Sequence, residues 1–600
     1  MYIRCTTIKS KQAGEPYKTY RLVETERVGA KVKQRIVLNL GRHFEVPQAQ
    51  WGLLVNRIGD LLSAKQGLFP LALEADLEVL AQRYAAQILA LRSQGESEAH
   101  SFEPIAVDTL ELLRPRRVGV EHLALHAISQ LRLEDKLCEL GFNRHQLAAA
   151  LGTIVARMTH PASELATLQW LQQCSGLGEL IDYDFSGMGL DRLYQVSDQL
   201  WKHRKALEAH CYQQELSLFQ MDETVTLYDL TNTFFEGAAK ENTQAKRGRS
   251  KEKRSDCPLV TLGLVLNGDG FPRKSELFAG NASEPVTLQQ MLQDLQAAVG
   301  SLVVLDAGIA TEDNIDWLKA NGYRYLVVSR RKQRCFDADA AVTIKDAADQ
   351  QVRVQRVDNK ATGEVELYCH SAMREEKERA MINQASERFE VNLQALADGL
   401  AKKGTVKRYD KVCERIGRLK EKYAQAAQHY HITVTHDKSS GIATEITWNK
   451  HHKPNSKASH PGVYCLRTNQ TDWDEATLWH TYTMLTDLEA VFRSLKSELG
   501  LRPIYHRKTD RVNGHIFITL LAYHLVQTLR KQLKQKNIHD SWKTIRAKME
   551  NQQRITAVMQ RADGKTIHLR KTTHAEPHQK EIFSALGIAA QPGTTQKTIV

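Results

Sequence analysis

Three acids in this sequence stand where carboxylate chemistry is commonly built. The segment Thr224-Val-Thr-Leu-Tyr-Asp229-Leu-Thr-Asn232 is rich in strand formers and holds one acid, Asp229, late in the run. Leu302-Val-Val-Leu-Asp306-Ala-Gly308 opens with four apolar residues, as a strand buried on both faces does, and then turns acidic. Ligands of α/β sheets bind beyond the carboxyl ends of strands, which is where Asp306 falls. An acid after a strand is common and says little alone; two on neighbouring strands offer the hard oxygen donors that a divalent cation takes. Metal-dependent phosphoryl chemistry calls for a third ligand, usually another carboxylate.

The candidate is Glu489. Tyr482, Glu489 and Lys496 are seven apart, so they fall on one line of a helix beside the apolar stripe Leu488, Val491, Phe492, Leu495 and Leu499. Arg493 lies one turn beyond Glu489. An acid in that setting can hold a cation while Tyr, Arg and Lys grip a phosphate. A solvated amphipathic face with an i,i+4 Glu489–Arg493 pair accounts for the same spacing. Two basic clusters sit close to the acids in sequence. Lys246-Arg-Gly-Arg-Ser-Lys251-Glu-Lys-Arg254 has six basic residues and one acid, and Arg330, Arg331, Lys332 and Arg334 follow the predicted strand Tyr323 to Val328. Between core strands, both read as phosphate contacts. Trp448 and Trp473 read as packing residues, with stacking on an unpaired base as the alternative.

The elements that must position these groups follow from pattern and composition. The chain has 600 residues and a net charge of +12 from 82 Lys+Arg and 70 Asp+Glu, and it is 42% hydrophobic. This excludes a disordered or fibrous chain, implies several domains, and makes a polyanion the first partner to consider. The longest apolar stretch, Ile516 to Val526, is too short for a membrane span, and the start of the sequence has no apolar signal core. The nine cysteines are too far apart for a Cys-x-x-Cys site, which reads as a reduced, cytoplasmic protein. Residues 1–46 carry ten basic and four acidic groups and alternate like a β-hairpin, so this region is a candidate DNA contact. Residues 47–215 read as helical and as the part that binds the DNA ends, with Pro161 breaking one run and Ser163 capping the next. Residues 216–332 read as the first part of a mixed α/β sheet: Leu259 to Asn267, Lys274 to Ala279 and Leu302 to Leu305 as strands, Val286 to Val299 as a helix, and a second helix from Glu312 capped by Thr311. Residues 333–477 read as a separate module, a helical hairpin turning near Gly399 and Gly404 followed by strands. Residues 478–535 hold the Glu489 helix and the one after it, and 536–600 read as a helical end available for dimerisation.

With these residues in view, the chain resembles the bacterial insertion-sequence transposases of the DDE class, whose catalytic core is RNase H-like. The relevant group carries the signature Tyr-x2-Arg-x3-Glu-x6-Lys. Tyr482, Glu489 and Lys496 match it, Leu485 stands in the Arg position, and Arg493 is the available substitute. Tyr228-Asp229-Leu-Thr resembles the first-acid strand. Gly248-Arg-Ser-Lys251-Glu-Lys-Arg254-Ser-Asp256 resembles the group's Ser-Lys and Arg-x-Asp loop. Asp306-Ala-Gly with Asn314 resembles the second-acid strand, and Leu501-Arg502-Pro-Ile-Tyr-His506 the segment after the third acid. The resemblance spans about residues 220–530. It implies a multidomain α+β chain with an RNase H-like α/β core, interrupted by a β-rich insertion between Asp306 and Glu489. It implies Asp229, Asp306 and Glu489 as catalytic residues and ligands of two Mg²⁺ ions, with Mn²⁺ as a substitute. DNA contacts are expected from Tyr482, Arg493, Lys496, Lys251, Arg254, Arg330, Arg331 and Arg502. The implied partners are double-stranded DNA (terminal inverted repeats and target) and a second copy of the chain, in the bacterial cytoplasm at the nucleoid. The implied activity is Mg²⁺-dependent cleavage at transposon ends and strand transfer. An inactive regulatory relative and a structure-specific nuclease on the same fold are the alternatives.

Overall fold

The computed structural model describes residues 1–8, 17–28, 31–41, 44–63, 74–95, 103–221, 225–248, 254–295, 300–331, 334–346, 350–452 and 454–600. The chain forms two compact units, Met1–Ile105 and Ala106–Val600. In the first, the strands Tyr2–Ile8, Tyr17–Val28 and Lys31–Gly41 make an antiparallel sheet with the second strand in the middle. Ile3, Leu22 and Leu38 pack against Leu54, Val55 and Ile58 of the helix Trp51–Ser63 and Leu77 and Ala81 of the helix Ala75–Gly95. The basic hairpin read from the sequence is therefore two strands of a three-stranded sheet closed by helices.

A nine-stranded sheet runs through the second unit. In chain order its strands are β1 (Val225–Phe234), β2 (Leu259–Asn267), β3 (Pro272–Ala279), β4 (Leu302–Leu305), β5 (Arg324–Val328), β6 (Val342–Lys345), β7 (Val352–Asn359), β8 (Glu364–Ser371) and β9 (Val463–Thr468). In space they run β6-β7-β8-β9-β5-β4-β1-β2-β3. Strands β1, β2 and β3 pair antiparallel, while β4 and β5 run parallel to β1. Successive side chains of a strand face opposite ways, and here both faces are covered. Leu227, Leu302, Val304 and Leu326 enter one core; Tyr228, Val303, Leu305 and Val327 enter another. The second core is closed by helices α1 (Glu284–Leu295) and α2 (Glu312–Ala320), the first by residues of the later helices α5 (Glu475–Arg493) and α6 (Thr509–Lys534). Burial on both faces is why β2 has no exposed residue and reads as a continuous apolar run. The arrangement is an RNase H-like core within a mixed α+β chain.

Three expectations need correction. Residues 333–477 are not a separate module: β9 pairs with β5 through Leu466↔Val328 and β8 with β9, so four of its strands continue the central sheet. Val365, Leu367, Cys369 and Leu466 are buried in the same core as Leu326, which ties the added strands to it. What has its own core is the remainder: α3 (Ala372–Ala401), α4 (Tyr409–Lys422) and the hairpin Tyr430–Asp437/Ile442–Lys450, which pack Phe389, Leu393, Val412, Ile416 and Ile446 together. Residues 47–215 are not all helical, because Ile105–Arg117 is a strand. Residues 536–600 are not all helical either. Alongside the helices Trp542–Met549 and Pro577–Leu586, the strands Gln553–Arg561, Thr566–Thr572 and Gln596–Ile599 join Ile105–Arg117 in a four-stranded sheet. Buried Arg554 and Arg570 both pair with Glu179, at 2.9 and 2.5 Å, and fix this sheet to the helical layer.

A second polar clamp fastens that layer to α6. Arg157 lies 3.7 Å from Glu164 and donates to His515 Nδ1 at 2.8 Å, and His506 Nε2 meets Glu164 Oε1 at 2.9 Å. Burial alone would raise the Glu164 carboxyl, but the hydrogen bond from His506 and the positive charges around it reverse this and hold it at about 2. Burial and the Arg157 charge push His515 well below the ordinary histidine value. Both groups therefore contribute stability that is full at neutral pH. The His515 share declines as pH falls below its ordinary value of roughly 6.5, and the Glu164 share as pH falls below about 4.3 toward its folded value. Glu164→Gln should cost about 3–5 kcal/mol near pH 7 and flatten the acid limb of the Tm–pH curve. Thermal melts between about pH 3 and pH 7 check this; parallel acid limbs in the two proteins would contradict it.

Candidate active site

Register decides where the first two acids lie. Strand β1 runs parallel to β4 with Val225↔Leu302 through Tyr228↔Leu305. Asp229 and Asp306 each follow the last pair, so they sit side by side on neighbouring strands whose backbones are about 4.8 Å apart. Asp229 is half-buried, and its Oδ1 accepts the Leu230 N–H at 2.7 Å. Asp306 is exposed at the strand's end. Its carbonyl accepts the N–H groups of Ile309 and Ala310 at 3.1 and 3.2 Å, which turns the chain into α2, and Thr311 caps that helix from the Asn314 N–H.

Helix α5 brings the third acid. It packs across β1, β4 and β5, with Glu489 on its exposed side. Tyr482 reports the neighbourhood: burial raises its phenol, then the nearby Asp306 charge and that of Glu489, to about 12. The chain leaving α5 is tied back to the Asp229 strand. Ile504 donates to the Phe234 carbonyl at 2.9 Å, Glu236 donates to the Ile504 carbonyl at 2.8 Å, and Thr233 Oγ1 donates to Leu501 at 3.2 Å. Asp229, Asp306 and Glu489 are thus gathered on one region of the core, but their oxygens do not converge to within 4.8 Å of one another. Among the described residues only Glu164, His506 and His515 do so. Those three are no metal cradle. A guanidinium only donates, so Arg157 leaves His515 Nδ1 the acceptor and Nε2 the protonated nitrogen, with no lone pair to offer. The acid trio, by contrast, offers hard carboxylate oxygens, the donor class that divalent cations take, with Asp306 and Glu489 exposed and Asp229 half-buried.

The family model for the transposase DDE domain matches residues 221–525, just over half of the chain, and that for the N-terminal domain of IS1634 family transposases matches residues 5–61. This chain belongs to the DDE transposases. No curated protein matches it. Two solved structures align loosely. The cryo-EM structure of the piggyBac transposase synaptic complex with hairpin DNA aligns at 8% identity over 75% of this chain and 82% of that one, with a TM-score of 0.30. The Mos1 transposase paired-end complex with left transposon end aligns at 12% identity over 47% and 78%, with a TM-score of 0.13. Likeness this low carries no weight for the site.

The expected DNA contacts of the transposase separate by environment. Arg254 is held by Asp256 in a bidentate pair at 2.8 and 2.7 Å and lies over the Phe234 ring at 4.7 Å. Its hydrogen bond brings the Asp256 carboxyl down to about 2. Arg331 pairs with Glu366 at 2.8 Å and Arg334 with Glu378 at 3.5 Å. Arg330 and Arg493 are exposed and make no ion pair among the described residues. Lys496 falls in a π-helical turn, Ser494–Glu498, which shifts it off the straight line with Tyr482 and Glu489 that a regular helix would give. Arg502 is half-buried ahead of Pro503. Lys251 lies outside the described residues. Trp448 packs on the core of α3 and α4 and Trp473 on the main core, so both have packing roles.

Two supporting residues, Thr287 and Glu284, escaped the sequence reading of the site, which had Tyr228 and Asn314 without their contacts. Tyr228, next to Asp229, donates its hydroxyl to Thr287 at 2.7 Å, and Thr287 donates to the Glu284 carbonyl at 2.8 Å. Buried Asn314 donates to the carbonyls of Pro285 and Ile309 at 2.9 and 2.8 Å. The Glu284 carboxylate lies against Gly308 so closely that a Cβ there would overlap Oε2. The start of α1 therefore staples the Asp229 strand to the turn after Asp306. The available signal was Ser283-Glu284-Pro285, a helix start, facing the Gly of Asp-Ala-Gly. Gly308→Ala should cost no more than about 1 kcal/mol, because the overlapped Oε2 is the far end of a flexible side chain that swings aside. Adding Glu284→Ala should recover part of that loss in thermal melts, because it removes the overlapping atom. Strictly additive losses would show that the two do not meet.

Proposed function

We propose that Asp229, Asp306 and Glu489 are the catalytic carboxylates of this transposase and the ligands of two Mg²⁺ ions, with Mn²⁺ as a substitute. The observation that carries this reading is the adjacency of Asp229 and Asp306 on parallel strands beneath the helix that bears Glu489. Bound there, paired divalent ions activate an attacking water or 3′-hydroxyl and stabilise the leaving oxygen of a phosphodiester. The chain's own contribution is position. Parallel register fixes the separation of the first two acids, and the Leu501–Ile504 segment holds the end of α5 against β1. Tyr482 stays protonated at neutral pH and offers a hydroxyl donor beside the acids. Arg330 and Arg493 supply uncommitted cations for the DNA backbone, and Arg254, preset by Asp256, a third.

The substrate in this reading is double-stranded DNA carrying the transposon's terminal inverted repeats, followed by target DNA. The working form is a homodimer on paired ends in the bacterial cytoplasm at the nucleoid. Among the described residues no helix is long and apolar enough to cross a membrane. Asp229→Ala, Asp306→Ala and Glu489→Ala should each lower Mg²⁺-dependent nicking of terminal-repeat DNA by roughly 10²–10³-fold or more while leaving DNA binding in place. Equal nicking by all three variants would reject the assignment, and cutting of flaps without terminal repeats would point to the nuclease alternative. Arg330→Ala should weaken binding to any duplex and reduce the slope of log affinity against log salt by about one. An unchanged slope in filter binding would remove Arg330 from the interface.

A further inference from the structure

We propose that the strand Ile105–Arg117 is a self-pairing edge through which two copies of the chain join their four-stranded sheets. The inference deepens the dimer part of the reading above by naming its surface.

The strand is the outer member of its sheet, and apart from Arg117, which bridges to Ser175, it pairs on one side only among the described residues. It is thirteen residues long and almost wholly exposed. Val107 and Leu112 are 73% and 63% exposed, and Leu110 and Leu113 are exposed beside them. Edge strands are ordinarily blunted by brevity, lysines, proline or a bulge. This one has none of these before Arg114, whose positive φ of 51° and following proline end the regular stretch. A long, apolar, unblunted edge is a template for another strand.

The strand's charges indicate which strand. Asp108 and Glu111 occupy its first half and Arg114, Arg116 and Arg117 its second. Arg117 is committed to Glu550, and Arg116 to the Gln172 carbonyl at 3.3 Å. Among the described residues Asp108, Glu111 and Arg114 make no ion pair. Pairing the strand antiparallel with its own copy sets the acidic half of each against the basic half of the other; parallel pairing would set like against like. A two-fold axis normal to the sheet pairs residues of the same face. With the axis through Leu112, that residue meets its own copy and position 114, where the regular stretch ends, falls opposite Leu110, which sets the Arg114 charge at the acidic half of the other copy. One contact is then made twice, as an isologous interface requires.

The test uses the full chain. Wild type should sediment as a dimer at about 50 µM and dissociate on dilution, with amide exchange over residues 105–113 slowed at least about tenfold in the dimer relative to the monomer. Asp108→Arg and Arg114→Asp should each weaken association at least about tenfold, and the double swap should restore it. Aspartate tolerates the left-handed backbone at position 114, so the swap does not depend on a fold change. A monomeric wild type, dimers indifferent to the single swaps, or a double swap as weak as the singles would overturn the proposal. So would slow exchange in the monomer at those amides of 105–113 that point away from the strand Gln553–Arg561, which would mean that the chain covers this edge itself. Metal-dependent cleavage by the same preparations separates the two readings. Cleavage by a chain that does not pair through this edge keeps the catalytic assignment and removes the interface; loss of cleavage with pairing intact does the reverse.

Discussion

The parallel pairing of β1 with β4 is the constraint on which the rest depends. Main-chain hydrogen bonds set two strands at a fixed spacing whatever their side chains, so the separation of Asp229 and Asp306 is a property of the backbone. That fixity has a requirement. A parallel pair needs a crossover and cover on both faces, and the sheet meets it with α1 and α2 on one side and α5 and α6 on the other. Two carboxylates on neighbouring strands repel, and the covered sheet is the frame that holds them at that spacing.

Glu489 is delivered differently. It comes from a helix far along the chain, so its placement depends on packing and on the few hydrogen bonds of Leu501–Ile504 to the end of β1. The first two acids share a backbone lattice, whereas the third rests on a surface contact. The three carboxylates do not all come within 4.8 Å of one another.

Much of this could be read from the residues. Asp306 announced itself because a short, fully apolar strand ends in an acid and a capped helix follows. The hairpin of α3 and α4 was legible from its charged, Ala-rich composition and Gly404. The strands β7 and β8 were not. Their sequences, Val-Arg-Val-Gln-Arg-Val and Glu-Val-Glu-Leu-Tyr-Cys, alternate apolar with polar side chains, and nothing local says that they extend a sheet whose first four strands precede Asp306. The contacts of Glu284 with Gly308 and of Arg157 with His515 join residues distant in sequence, and no spacing rule reaches that far.

The four-stranded sheet carries a consequence for how the chain is made. Its outer strand, residues 105–117, is made long before the strand it pairs with, residues 553–561. Until those later residues emerge from the ribosome, that apolar ribbon has no sheet to join, and the helical layer behind it lacks Arg554 and Arg570 to neutralise Glu179. Closing a loop of that length is slow, which leaves the nascent polypeptide with a sticky segment while everything between the two strands is made. Maturation of the helical layer is thereby deferred until its two arginines arrive.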